Sequence, residues 1–268
     1  MRSLLRVALA LLLLAVLLTG LSYSMLRAQG PSAPAKLEGR KVATETRTVN
    51  AGVVNIDLNG PVDLNLRQGA VAALVVRGEQ RLLGNIDTSG DGTTLHIGTK
   101  GMLLNPRHPI QVSLVLPRLD QLSVHGSGDS SVNGFSGERI DVHLSGSGKL
   151  KFNGRYRDVV ASLHGSGDME LNGGSSDSVD VTLVGSGDMT VVGASKRFTL
   201  DQTGSGDLDG EHMSAEEAKV ALKGSGGVAL TATESIAIDL HGSGDVHVYG
   251  QPAERSIKRS GSGDVSFE

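Results

Sequence analysis

Ile140-Asp141-Val142-His143-Leu144-Ser145-Gly146-Ser147-Gly148-Lys149-Leu150-Lys151-Phe152-Asn153-Gly154 is the stretch from which the architecture is read. Ile140, Val142 and Leu144 alternate with polar residues. Gly146-Ser147-Gly148 interrupts, and Leu150 and Phe152 then resume the alternation. Period-two alternation on both sides of a glycine corner describes two half-buried strands joined by a tight turn. The same phrase returns along the chain. Gly-Ser-Gly begins at Gly126, Gly146, Gly165, Gly185, Gly204, Gly224, Gly242 and Gly261, in steps of 20, 19, 20, 19, 20, 18 and 19 residues. A fixed period of this length marks a solenoid, whose units bury their apolar faces only against their neighbours.

Stacking like on like puts Val124, Leu144, Leu163, Leu183, Leu222 and Leu240 in one internal column, which Gln202 and Arg259 interrupt. Gln202 then needs an internal partner, because an unpaired buried amide costs about 1–3 kcal/mol. Arg259 falls in the last coil, where a stack ends and polar residues are tolerated. The expected fold is all-β: a single-stranded right-handed parallel β-helix of ~19–20 residues per coil. An antiparallel sandwich of hairpins is the alternative, and it does not require the columns to keep one period.

Upstream of the repeat, Val54, Ile56 and Leu58, then Val62, Leu64 and Leu66, alternate with polar residues. Leu74 to Val76, Leu95 to Ile97 and Ile110 to Leu116 continue as short strands, with a turn at Gly90-Asp91-Gly92. Pro106, Pro109 and Pro117 mark loops. The solenoid proper is expected from Leu119. Residues 30–47, with Pro31, Ser32, Ala33, Pro34 and Ala35 at their start, read as a linker. Residues 1–29 read as a signal peptide or a signal anchor, expected as a hydrophobic export/anchor helix. Arg2 and Arg6 precede an unbroken apolar run from Val7 to Leu18, and residues 7–25 approach the length that spans a bilayer. The body, residues 48–268, is placed outside the cytoplasm.

The chain carries a formal charge of −4; without its first thirty residues it has 22 basic against 29 acidic side chains. A mildly acidic body is a poor match for nucleic acid, which needs a basic face. Cysteine is absent, which excludes disulfides, a lipidated N-terminal Cys and thiol chemistry. Aromatic residues are 3% of the chain, so stacking platforms for sugars are scarce.

The repeated Gly-Ser-Gly-Asp turns, each preceded by Val-x-Leu-x or a close variant, carry a family likeness. So do the lead-in Val54-x-Ile56-x-Leu58 with Gly60 and the run Leu114-x-Leu116-Pro117-x-Leu119-x-x-Leu122-x-Val124. Over roughly residues 48–268 the chain resembles the head GIN domain family of bacterial exported proteins, the auto-transporter adhesin head domain. The chain departs from that pattern at Lys149 and Gly227, where Asp is expected. The resemblance implies an exported right-handed β-helix and brings no catalytic residues.

Asp129, Asp168, Asp188, Asp207, Asp245 and Asp264 follow the Gly-Ser-Gly core at matching positions. Stacked, they form an acidic ridge, and two readings of it stand side by side. Each Asp accepts backbone N–H bonds within its own turn, or Asp168, Asp188 and Asp207 hold a cation such as calcium. Ser127 and its equivalents form a second column whose hydroxyls can bond along the ridge. His125, His164 and His241 precede a first glycine and point outward; being in non-adjacent coils, they do not share a metal. No Gly-x-Ser-x-Gly elbow is present, and no catalytic or cofactor residue is assigned. The expected function is a non-enzymatic binding or structural surface in the bacterial envelope, in the periplasm or at the cell surface. The expected partner is a protein or glycan, with the membrane contacted through residues 7–25. Val265 and Phe267 leave a strand edge for a partner chain or a homo-oligomer. The alternatives are a polysaccharide-active β-helix enzyme and a calcium-binding repeat protein.

Overall fold

The computed structural model describes residues 41–101 and 107–268. Residues 1–40, and with them the expected export segment and most of the linker, lie outside the described residues, as does Pro106. The compact unit is Val42–Glu268. It is an all-β parallel solenoid of the right-handed type with about seven turns. Among the described residues no helix is long and apolar enough to cross a membrane.

The chain enters through β1 (Val42–Arg47), then β2 (Asn55–Asn59), β3 (Val62–Gln68) and β4 (Ala73–Glu79). A single turn, α1 (Gln80–Leu83), leads to β5 (Ile86–Asp91), β6 (Thr94–Thr99) and β7 (Ile110–Leu116). The repeat follows as β8 (Gln121–Gly126), β9 (Asp129–Gly146), β10 (Lys149–Gly165), β11 (Asp168–Gly185), β12 (Met189–Gly204), β13 (Leu208–Gly224) and β14 (Val228–Gly242). It closes with β15 (Val246–Tyr249), β16 (Glu254–Gly261) and β17 (Val265–Phe267). Each coil has a wall A before its Gly-Ser-Gly corner and a wall B after it. The long strands β9 to β14 each run from wall B, around a second corner, into the next wall A.

The predicted column is present. Val124 pairs in register with Leu144, Leu144 with Leu163, Leu163 with Leu183, and Leu183 with Gln202. Gln202 then pairs with Leu222, Leu222 with Leu240, and Leu240 with Arg259. Neighbouring coils are paired parallel from β8 onward, which excludes the antiparallel sandwich. Gln202 is buried, and its Nε2 donates to the carbonyls of Gly206 and Gly227.

Two expectations upstream of the repeat are corrected. The solenoid does not begin at Leu119. β2 and β3 already form a coil, pairing parallel with β8 and β9 on one side and with β6 and β7 on the other. The chain therefore starts one coil in, turns outward to lay down the first coil, and passes back to the third. The reason is at the end of the stack: β4 pairs antiparallel with β7, and β5 antiparallel with β6, so antiparallel strands close the open edge of the parallel walls. The second correction concerns the linker. Val42–Arg47 is not tether but strand, paired antiparallel with β4. Arg47 pins it by donating to the carbonyls of Ile86 at 2.6 Å and Leu83 at 2.7 Å.

At the other end, Arg255 and Arg259 take the inward positions held one coil earlier by Ile236 and Leu240. Arg255 lays its guanidinium 4.2 Å from the Phe267 ring centre, and Arg259 reaches Asp264 at 3.1 Å. At this end the chain's own Arg255 covers the face of the Phe267 ring.

Candidate functional site

The Gly-Ser-Gly corner is where neighbouring coils come closest. A Cβ on either glycine of any core would lie 1.9–2.4 Å from a backbone carbonyl oxygen of the preceding coil. The first glycine also sits at positive φ in every core, as at Gly146 with φ 131°. The corner therefore brings backbone directly against backbone. The N–H groups of Ser186 and Gly187 both donate to Gly165 O, at 2.9 and 3.1 Å, and other coils repeat the pattern. The Ser hydroxyls meet along the ridge as expected, Ser225 with Ser205 at 3.3 Å and Ser262 with Ser243 at 3.1 Å.

The aspartates do accept backbone N–H groups, but not from their own turn. Asp207 N–H donates to Asp188 Oδ1 at 3.2 Å, Gly227 N–H to Asp207 Oδ1 at 2.6 Å, and Asp264 N–H to Asp245 Oδ1 at 2.9 Å. Asp63 in β3 does the same for Asp129, at 3.1 Å. Each of these four carboxylates caps the donor one coil further on, an inter-coil contact that no single turn reveals. Lys149 has no carboxylate to offer, and Asp168 N–H donates to Gly148 O instead. Lys149 bonds Glu170 at 2.6 Å, and this pair holds the Lys149 pKa up and the Glu170 pKa down. Asp168, Asp188 and Asp207 are thus aligned on the ridge. Among the described residues no group of three or more His, Cys, Asp and Glu is arranged to hold a metal ion.

The second corner behaves differently. The register shifts between Asn153 and Gly154, Asn172 and Gly174, Thr190 and Gly193, and Gly210 and Ser214 all fall there. This corner absorbs the change in coil length from 18 to 20 residues. Alternating charge compensates for the interrupted ladder: Arg157 reaches back to Glu138 at 3.3 Å and on to Asp177 at 2.8 Å, and Asp177 meets Lys196 at 2.7 Å. Lys196 first, then Arg157, holds the Asp177 pKa below the usual value. On wall B an open trough of about 510 Å³ carries an outward column of Asn133, Asn153 and Asn172 beside Lys151 and Glu170.

His125 and His164 do point outward, two coils apart. A histidine that the alternation did not single out, His143, lies on the coil between them. Its ring centre is 5.6 Å from that of His125 and 5.1 Å from that of His164. The sequence signal was there in the spacings of 18 and 21 residues, which bracket one coil. His241 lies farther along wall A and contacts Asp239 at 3.0 Å.

Glycine corners in backbone contact, aliphatic columns and closed ends define the class: a capped, non-sequentially started parallel β-solenoid. The family model described as "Putative auto-transporter adhesin, head GIN domain" matches residues 54–177 and 155–252, and the chain belongs to that family. The two matches overlap, as a chain with interchangeable coils allows. Three crystal structures share the fold. A "putative adhesin" of Parabacteroides distasonis ATCC 8503 is 20% identical with TM-score 0.79, covering 86% of this chain and 98% of its own. A "putative adhesin" of Parabacteroides merdae ATCC 43184 is 16% identical with TM-score 0.78, covering 85% and 96%. A "Putative lipid binding protein" of Parabacteroides distasonis ATCC 8503 is 22% identical with TM-score 0.76, covering 85% and 97%. No curated protein matches the sequence at a significant level.

Proposed function

We propose that the protein is exported and works as a rigid, non-enzymatic binding surface in the bacterial envelope, adhesin-like in presenting flat polar sheet faces to a glycan or protein. The observation that carries this reading is the use to which its acids and hydroxyls are put. Asp63, Asp188, Asp207 and Asp245 cap neighbouring coils, and Asp177 bridges two cations. A glycosidase needs two carboxylates free to flank a scissile bond, whereas these are committed to holding the rod. The outer walls are what remains to meet a partner, and the asparagine column of wall B suits a polar one. The core columns are filled with aliphatic side chains, so a lipid would have to bind outside the rod.

The calcium-binding alternative, at Asp168, Asp188 and Asp207, is tested by calorimetry with calcium on the full chain: heat and a raised melting temperature support it, and neither appearing overturns it. The main reading is tested by protease shaving of intact cells expressing the full chain, followed by fractionation. Degradation of the 42–268 body from outside supports adhesion. Protection until the outer envelope is breached moves the surface to the periplasm, and recovery in the cytoplasm overturns export.

A further inference from the structure

Three successive coils of wall A carry a small checkerboard on their outer face. The outward pairs are Ser123 and His125 on β8, His143 and Ser145 on β9, and Ser162 and His164 on β10. In register, Ser123 lies beside His143 and His143 beside Ser162; His125 lies beside Ser145 and Ser145 beside His164. Three imidazoles and three hydroxyls thus alternate with no carboxylate among them, in a chain whose net charge is negative.

We propose that this checkerboard binds an oxyanion, a sulfate, phosphate or carboxylate group, and takes it up together with protons. The inference deepens the binding-surface reading by giving one wall a ligand chemistry. It holds or fails independently of which side of the envelope the body faces.

The argument is one of complementarity. A charged imidazole donates from both ring nitrogens, and a hydroxyl donates one further bond. Donors of this kind spaced over neighbouring coils about 4.8 Å apart suit a tetrahedral or planar oxyanion bridging two rings. Three imidazolium rings this close repel one another, so their charged state calls for a counter-ion. His143 Nδ1 and Ser162 Oγ already share a hydrogen bond, which holds the central ring over the patch. His164 Nδ1 is buried and has no hydrogen-bond partner. Burial first, then His164 and His125, keep the His143 pKa below the usual histidine value.

The surrounding charges leave the patch free for an external anion. Asp57 of β2 is engaged by His96 at 2.9 Å and Asn59 at 2.8 Å. On β9 itself, Asp141 is held by Arg139 at 2.9 Å. On β10, Asp158 accepts the Ser178 hydroxyl at 2.6 Å. Asp180 of β11 stands in register with Val160, one coil beyond the patch. None of these acids contributes to the His143 shift. The neighbouring coils end the pattern, with Asp57 and Asn59 on one side and Thr182 and Val184 on the other.

The experiment is an NMR titration of the full chain in detergent, with histidines labelled at the ring carbon. Sodium chloride is compared with sodium sulfate at equal ionic strength. In sulfate the pKa values of His125, His143 and His164 rise by about half a unit or more, equivalent to about threefold in proton affinity, while His241 does not move. Equal shifts at His241, or no shift at the three, overturn the proposal. His143→Asn lowers sulfate affinity at pH 5.5 by about threefold or more; should that variant misfold, His125→Gln with His164→Gln on the rim does the same. Unchanged affinity in a folded variant overturns the site. A sulfated disaccharide run in parallel separates the sources: a stronger response than inorganic sulfate assigns the group to a glycan, an equal one to the free ion, and both support the site.

Discussion

At the scale of single residues, two kinds of position decide whether coils can stack. The glycines are the first. A Cβ on Gly187 would sit 2.0 Å from Gly167 O, a contact no side-chain rotation relieves. Gly187→Ala is therefore expected to cost about 3 kcal/mol or more. Its neighbour Ser186 points to solvent, and Ser186→Ala is expected to change stability by less than about 0.5 kcal/mol; urea unfolding compares the two, and equal losses would refute backbone contact as the reason for the motif. Buried hydroxyls are the second. Ser130 interrupts the column of Leu64 and Leu150, is 3% exposed, and its Oγ has no partner. Ser176 is buried too, but its Oγ donates to Tyr156 O at 2.8 Å. Ser130→Ala should stabilise by about 1 kcal/mol and Ser176→Ala should destabilise by about as much. Thermal melts of the two variants shifting in the same direction would contradict this account.

At the scale of elements, the first coil is held by a buried carboxylate. Glu79, at the end of β4, is fully buried, and accepts from Arg107 N–H at 2.6 Å and from Arg81 Nε at 2.8 Å. The Arg107 bond first, then the Arg81 bond, holds its pKa below the ordinary carboxylate value. The unfolded chain therefore takes up this proton before the folded one does. The stability Glu79 contributes is complete above the ordinary value of 4.5 and is lost as pH falls from there through the depressed folded value. Glu79→Gln should remove part of this acid limb: between pH 5 and 3 the variant's melting temperature should fall less steeply than that of the parent. Parallel curves would show that Glu79 is not linked to folding. The two corners divide labour at this same scale. The Gly-Ser-Gly corner keeps register in every coil, while the charged corner tolerates 18 to 20 residues and restores alignment through Glu138, Arg157, Asp177 and Lys196.

At the scale of the whole molecule, a solenoid must stop itself. Its walls are parallel strands with unpaired edges, and an unprotected end is a template for another rod. Here antiparallel strands close one end, and the other carries Arg255 and Arg259 in place of aliphatic side chains. Replacing both with valine would continue the columns of Ile236 and Leu240 to an open face beside Ile257, already 44% exposed. The double variant is expected to form end-to-end oligomers, seen by light scattering, at concentrations where the parent stays dispersed. A variant that remains no larger than the parent would show that the arginines do not guard the end.

The period of Gly-Ser-Gly, read with the alternation around it, determined the parallel stacking, the aliphatic columns and even the places of Gln202 and Arg259, because coils that touch only their neighbours carry their contacts at a constant spacing in the chain. The first two coils lacked that signature. The corner of the β2–β3 coil is Gly60-Pro61-Val62, with no Gly-Ser-Gly to mark it. Only the tertiary structure could therefore show that the chain starts one coil in. It alone, too, decided which donor each aspartate caps and that His143 lies between His125 and His164. Those contacts pass from coil to coil, and a residue's outward neighbours depend on how far each second corner slips, which alternation within one strand does not encode.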